Sequence, residues 1–98
     1  MSDYYDRQGR PMTLVEWAET LEHQSDYKIV EQTTLPNGRW VSTVWLGLNH
    51  QYGDGPPLIF ETLVFPQHGE WSEVDGERYS TEDEARAGHA CLAEKWAR

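Results

Sequence analysis

Apolar and polar positions change period several times along the chain, and each change marks an element. Leu14, Trp17, Ala18 and Leu21 recur at i, i+3, i+4 and i+7, while Glu16, Glu19 and Glu22 take the other side. That spacing predicts a helix ending near His23 to Ser25. Thr13 and Glu16 stand at capping-box spacing at its start. Before it, Tyr4-Tyr5 and Arg10 to Met12 form the arms of a small hairpin around the turn Asp6 to Gly9. Lys28 to Leu35 (KIVEQTTL) is β-branched and stops at Pro36-Asn37-Gly38, a hairpin turn with Gly38 in the left-handed position. The turn sets Leu35 opposite Arg39, Val30 opposite Val44 and Glu31 opposite Thr43. A second strand then runs from Arg39 to about Leu48 and a third from Leu58 to Phe65. A fourth is expected over Glu70 to Val74, turning at Asp75-Gly76 into Glu77–Tyr79. The last helix starts from Thr81, again with a capping box to Glu84, and Ala85, His89, Leu92 and Trp96 form its apolar stripe. The expected fold class is α+β: an antiparallel three- to four-stranded sheet with N- and C-terminal helices on one face, in a single domain spanning 1–98.

The two central strands are apolar on both faces, which raises the question of what covers the second. If Leu48 pairs with Leu58, even positions share one face: Val30, Trp40, Val44, Leu46, Leu48, Leu58, Phe60 and Val64. The odd face carries Ile29, Val41, Trp45, Ile59, Leu63 and Phe65, interrupted by Glu31, Thr33, Thr43 and Glu61. Two amphipathic helices cannot cover both faces. Either the N-terminal arm and the long loop fold over the odd face or a bulge shifts the parity, or the odd face is an apolar interaction surface. Self-association as a two-fold homodimer is the simplest form of the last reading.

Charge narrows the choice of partner. Seventeen Asp and Glu against eight Lys and Arg give a net charge of −9. The basic residues are scattered singly, so nucleic acid and anionic membranes are not expected partners. A basic protein partner fits better. The seven acids of Glu70 to Glu84 read as a solvated face or as a docking surface for such a protein. Cys91 is the single cysteine and cannot form an internal disulfide. The N-terminus lacks the apolar segment of a signal peptide, and no apolar run nears the ~20 residues that span a bilayer. A cytoplasmic location is expected.

Candidate chemistry is sparse. No nucleophile–base pair, no Cys-x-x-Cys and no His-Glu-x-x-His is present, so no catalytic residue, metal site or cofactor is expected. Gly53-Asp54-Gly55 lacks the pattern of a phosphate loop. The loop Asn49 to Pro57 carries His50, Tyr52 and Asp54, and loops between apolar strands are common places for contacts. Glu61 and Glu31 fall on one sheet face, which suits either acid–base chemistry or solubility. His89, on the apolar side of its helix, reads as a hydrogen-bonded core histidine. The residues expected to meet a ligand or partner are Trp45, His50, Tyr52, Asp54, Glu61 and Phe65.

The element order is similar to that of the double-stranded RNA-binding domain in order alone, since the basic residues such a domain needs are missing. Three stretches together carry a different resemblance: YYDRQGRPMTLVEWAETLE, WVSTVWLGLNHQYGDGPPLIFETLVF and RYSTEDEARAGHACLAEKW. The chain resembles a group of short proteins encoded by tailed bacteriophages and prophages, above all those of actinobacteria, with VSTVWLGLNH followed by PPLIFET as the most specific part. The resemblance implies a phage accessory protein acting in a bacterial cytoplasm. It supplies no catalytic residues. Two functions remain open: non-enzymatic binding to a host or phage macromolecule, such as a host enzyme or defence component, and a small-molecule-binding or hydrolytic site at loop 49–57 and Glu61.

Overall fold

The computed structural model describes residues 3–51 and 53–98. Its frame is a four-stranded antiparallel sheet in the order β3-β4-β5-β6, formed by Ile29–Thr34, Trp40–Trp45, Phe60–Phe65 and Asp75–Tyr79. A two-stranded hairpin, β1 (Tyr4–Tyr5) with β2 (Pro11–Met12), precedes helix α1 (Leu14–His23), and a single 3-10 turn over Ser25–Lys28 leads into β3. Helix α2 (Glu82–Trp96) closes the described chain. The fold is α+β, with its two helices toward the two ends of the sequence.

Local chemistry explains most of these boundaries. Both helices begin with a full capping box, Thr13 with Glu16 and Thr81 with Glu84, so backbone donors that would otherwise lack partners are satisfied at each start. The β3–β4 turn closes with Leu35 N donating to Arg39 O at 2.7 Å, and Gly38 takes φ +89°. Asn37 Nδ2 and Arg39 Nη1 then donate to Trp96 O, so the same turn caps the C-terminal end of α2. The fourth strand starts later than the sequence pattern suggests. Glu70 to Val74 is not a strand, and Asp75-Gly76, expected as a turn, is strand β6. Asp75 is held there by Lys95 Nζ and Trp96 Nε1, each 2.8 Å from its Oδ2.

The strand register departs from expectation at two bulges. Glu31 faces Thr43 as expected, but Ile29, not Val30, faces Val44, because the chain bulges between Ile29 and Glu31. Between β4 and β5 the pairs are Trp40 with Phe65, Val44 with Glu61 and Trp45 with Phe60. Leu48 does not meet Leu58; it bridges to Tyr4. The amides of Leu46 and Gly47 both reach the carbonyl of Ile59, and Gly47 takes φ +75°, so the ladder is interrupted there.

The one-residue change re-sorts the faces. Val41, Thr43 and Trp45 of β4 share a face with Phe60, Thr62 and Val64 of β5, and all six are buried. Helix α2 lies over this face, Leu92 with Val41 and Val64, Ala85 with Trp45 and Phe60. Helix α1, the β1–β2 hairpin and Tyr27 complete the Trp45 end, where Trp45 Nε1 donates to Tyr5 O and Trp17 Nε1 to Leu46 O. Arg7 ties these parts together: its amide donates to Tyr27 Oη, its guanidinium to Tyr27 O and to Glu82. The shortest dimension, 21 Å, is that of one sheet and one helix layer at ~10 Å each. No helix among the described residues is long and apolar enough to cross a membrane.

Gly47 is the tightest point of this arrangement. A Cβ there would run into the indoles of both Trp17 and Trp45, and its backbone conformation disfavours any side chain. Gly47→Ala is expected to cost about 3 kcal/mol through strain and overpacking together. Gly38→Ala, with a positive φ but nothing within 4 Å, is expected to cost only about 1 kcal/mol. Urea midpoints of the two variants at constant m-value give the comparison.

Candidate functional site

The uncovered face of the sheet is lined by Gln32 and Thr34 of β3, Trp40 and Val44 of β4, Glu61, Leu63 and Phe65 of β5, and Arg78 of β6. At one end, the segment between β5 and β6 folds back over it. His68 stacks on Trp40 at 4.4 Å between ring centroids, and Trp40 stacks on Phe65. Trp71 meets both rings edge-on, at 6.2 Å from Trp40 and 5.6 Å from Phe65. His68 Nε2 is also hydrogen-bonded to Thr34 Oγ1. The result is an aromatic wall whose outer member, Trp71, is 71% exposed. At the other end Ile29 is 37% exposed beside Val44. Only Glu61 and Arg78 bring charge to the strand-borne part of this face, and they neutralise each other through a 2.9 Å ion pair.

The residues singled out in the sequence are therefore dispersed. Trp45 was expected on the open face and is instead 1% exposed under α2; the odd register between β4 and β5 moves it there, together with Val41 and Thr43. Phe65 lies on the open face but is covered by Trp40 and Trp71. Glu61 lies on that face too, opposite Val44 rather than Trp45. His50 and Asp54 are in the loop, away from that pairing. His50 N donates to Leu58 O, and Asn49 Oδ1 accepts from the amides of Gln51 and Leu58, closing the loop's neck. Asn49 N in turn donates to Asp3 O. Tyr52 lies outside the described residues. Among the described residues the loop's hydrogen bonds run to Asp3, Pro56 and Leu58 and not to Glu61. No ligand-sized cavity opens among them, and no three His, Cys, Asp or Glu side chains converge on a point.

The aromatic wall is not legible in the alternation of the strands, which puts Trp40 on the covered face and gives no role to His68 or Trp71. The available signal was Trp71 itself, a lone tryptophan in the polar run HGEWSE.

One further constellation has the elements of catalysis. Thr43 Oγ1 lies 2.7 Å from His89 Nδ1, and Glu31 Oε2 lies 3.7 Å from His89 Nε2. A hydroxyl, an imidazole and a carboxylate in a row suggest a hydrolase triad. Thr43, however, is 0% exposed and shares its hydroxyl with Thr62, while Thr33 Oγ1 occupies His89 Nε2 at 2.9 Å. A substrate carbonyl has no path to it. The group is a hydrogen-bonded core, as expected for His89.

Comparison with protein-family models, with curated proteins and with solved structures gives no match.

His89 carries a pH dependence. Burial holds its pKa below the usual imidazole value; the Glu31 carboxylate pulls it up, and Arg86 adds to the lowering. The unfolded chain takes up this proton near pH 6.5 and the native chain only at lower pH. Stability is therefore full above about pH 7 and declines as pH falls through 6.5 toward the lowered native value. Burial also acts to raise Asp6, but hydrogen bonds from Arg10 and Gln8 leave it lowered; Glu82 is lowered by Arg7, and Asp75 by Lys95 and Trp96. These three add a separate loss below about pH 4.5. Urea titrations from pH 8 to pH 3 are expected to show both declines, and His89→Asn to remove the upper one while lowering stability at pH 7.

Proposed function

We propose that the chain is a non-enzymatic binding protein and that the uncovered sheet face is its docking surface for a protein partner. The observation that carries this reading is the pairing of an exposed tryptophan wall with a sheet floor whose only charges cancel. Cores of protein interfaces are enriched in Trp and Arg and depleted of unpaired charge, and binding energy concentrates on such aromatic anchors. A small-molecule reading has less support: Glu61 is engaged by Arg78, and the loop bearing His50 is hydrogen-bonded to the N-terminal arm and to its own far end. The resemblance to short phage proteins supplies a setting, a bacterial cytoplasm in which the partner is a host or phage macromolecule, for instance a host enzyme or defence component.

The test compares affinity capture from bacterial lysate by the wild type and three variants. Ile29→Asp and Trp71→Ala alter the open face at exposed positions. Leu14→Asp alters an apolar residue, 56% exposed on α1, as a control. Expected is a specific partner retained by the wild type and Leu14→Asp and reduced at least tenfold by each open-face change. A partner retained equally by all four proteins would place its binding site elsewhere.

A further inference from the structure

We infer that the occupant of the open face is an amphipathic α-helix of the partner, apolar along one stripe and basic at its flanks; the inference rests on the reading of that face as the docking surface. A sheet with helices on one side leaves its second face free for a further layer, and here that face offers Ile29, Val44, Leu63 and the aromatic wall for a helix to cover.

Four strands ~4.8 Å apart and about 20 Å long make a floor on the order of 400 Å². That is about half of the ~800 Å² per partner found in standard protein interfaces. A flat globular partner would be under-supplied, whereas a single helix ~10 Å wide would not. From Val44 to Trp40 the floor runs for ~13 Å at ~3.3 Å per residue. The wall with Trp71 stands just beyond, so the anchors at the two ends match a helix of three turns, ~16 Å long.

Shape and charge argue against a second copy of the chain. The segment bearing His68 and Trp71 sits on one end of the floor, so two such faces cannot lie flat on each other. Each copy also carries −9. Beside the neutral floor, at its Trp71 end, stand the exposed acids Glu70 and Glu73. These repel a second copy and attract Lys or Arg at that end of a docked helix.

The experiment is selection from a display library of 18-residue helical peptides with randomised surfaces, panned on the whole chain. The double variant Ile29→Asp/Trp71→Ala, verified as folded by circular dichroism, serves as the comparison surface. Expected are peptides with apolar residues at i, i+3, i+4 and i+7 and with flanking Lys or Arg. A synthetic copy of the leading peptide should bind the double variant at least tenfold more weakly, and bind the wild type more weakly as salt rises. Enriched peptides with period-two alternation or acidic flanks, sensitive to the same variant, would overturn the helix inference and leave the open-face reading standing. Peptides that bind both proteins equally would overturn both. Failure to enrich any peptide would overturn the helix inference. So would light scattering that shows a wild-type dimer dissociated by Ile29→Asp, because the occupant would then be a second copy.

Discussion

The fold is held at its centre by a hydrogen bond rather than by an apolar contact. His89 of α2 reaches Thr43 of β4 through Nδ1 and Thr33 of β3 through Nε2, and Thr43 passes the connection to Thr62 of β5. On one side of this polar belt lies the cluster of Leu35, Val41, Val64 and Leu92; on the other lies that of Trp45, Ile59, Phe60 and Ala85. Apolar packing is tolerant of small slides, but hydrogen bonds are directional. A strand that slipped by one residue would turn its threonine away and leave a buried imidazole nitrogen without a partner, at a cost of about 1–3 kcal/mol. The belt therefore favours the observed register.

The parts of this structure legible in the sequence are those decided within a few residues. Both capping boxes, the Pro36-Asn37-Gly38 turn and the Glu31–Thr43 pair follow from local chemistry, and so does the core role of His89. The β4–β5 register was not legible because no short turn sets it. It depends on Gly47, where a bulge makes room for Trp17 and Trp45 to converge from separate elements. A glycine within an apolar strand is a general sign of a bulge or a close approach, but nothing local says which. The same slip explains the candidate site. Ile29, Glu61, Leu63 and Phe65 lie on the open face, whereas Trp45 exchanged places with Trp40 and Val44. The late start of β6 follows from Lys95 and Trp96, about twenty residues further along.

The two faces of the sheet are built on different terms. The covered face places its polar atoms in a closed network, and no buried side-chain nitrogen or oxygen among the described residues lacks a partner. Its histidine is committed to Thr33 and Thr43 within that network. The open face keeps its aromatic rings in contact with one another, so that Trp71 is presented by a packed wall and not by a free loop. An anchor already ordered loses less entropy when it is covered. With the acids displaced to the surroundings, the face combines a neutral floor with a negative field, which suits steering at a distance and apolar contact at close range.

The contact between Arg7 and Glu82 spans 75 positions in the chain. Its consequence concerns the order in which the molecule is made. At about 5–20 residues per second, roughly 4–15 s of synthesis separate the two side chains. Within that interval the partners of the hairpin at Tyr27, Trp45, Gly47 and Leu48 are already in place. The Arg7–Glu82 pair is thus a later lock that ties the start of helix α2 to a hairpin with other contacts of its own.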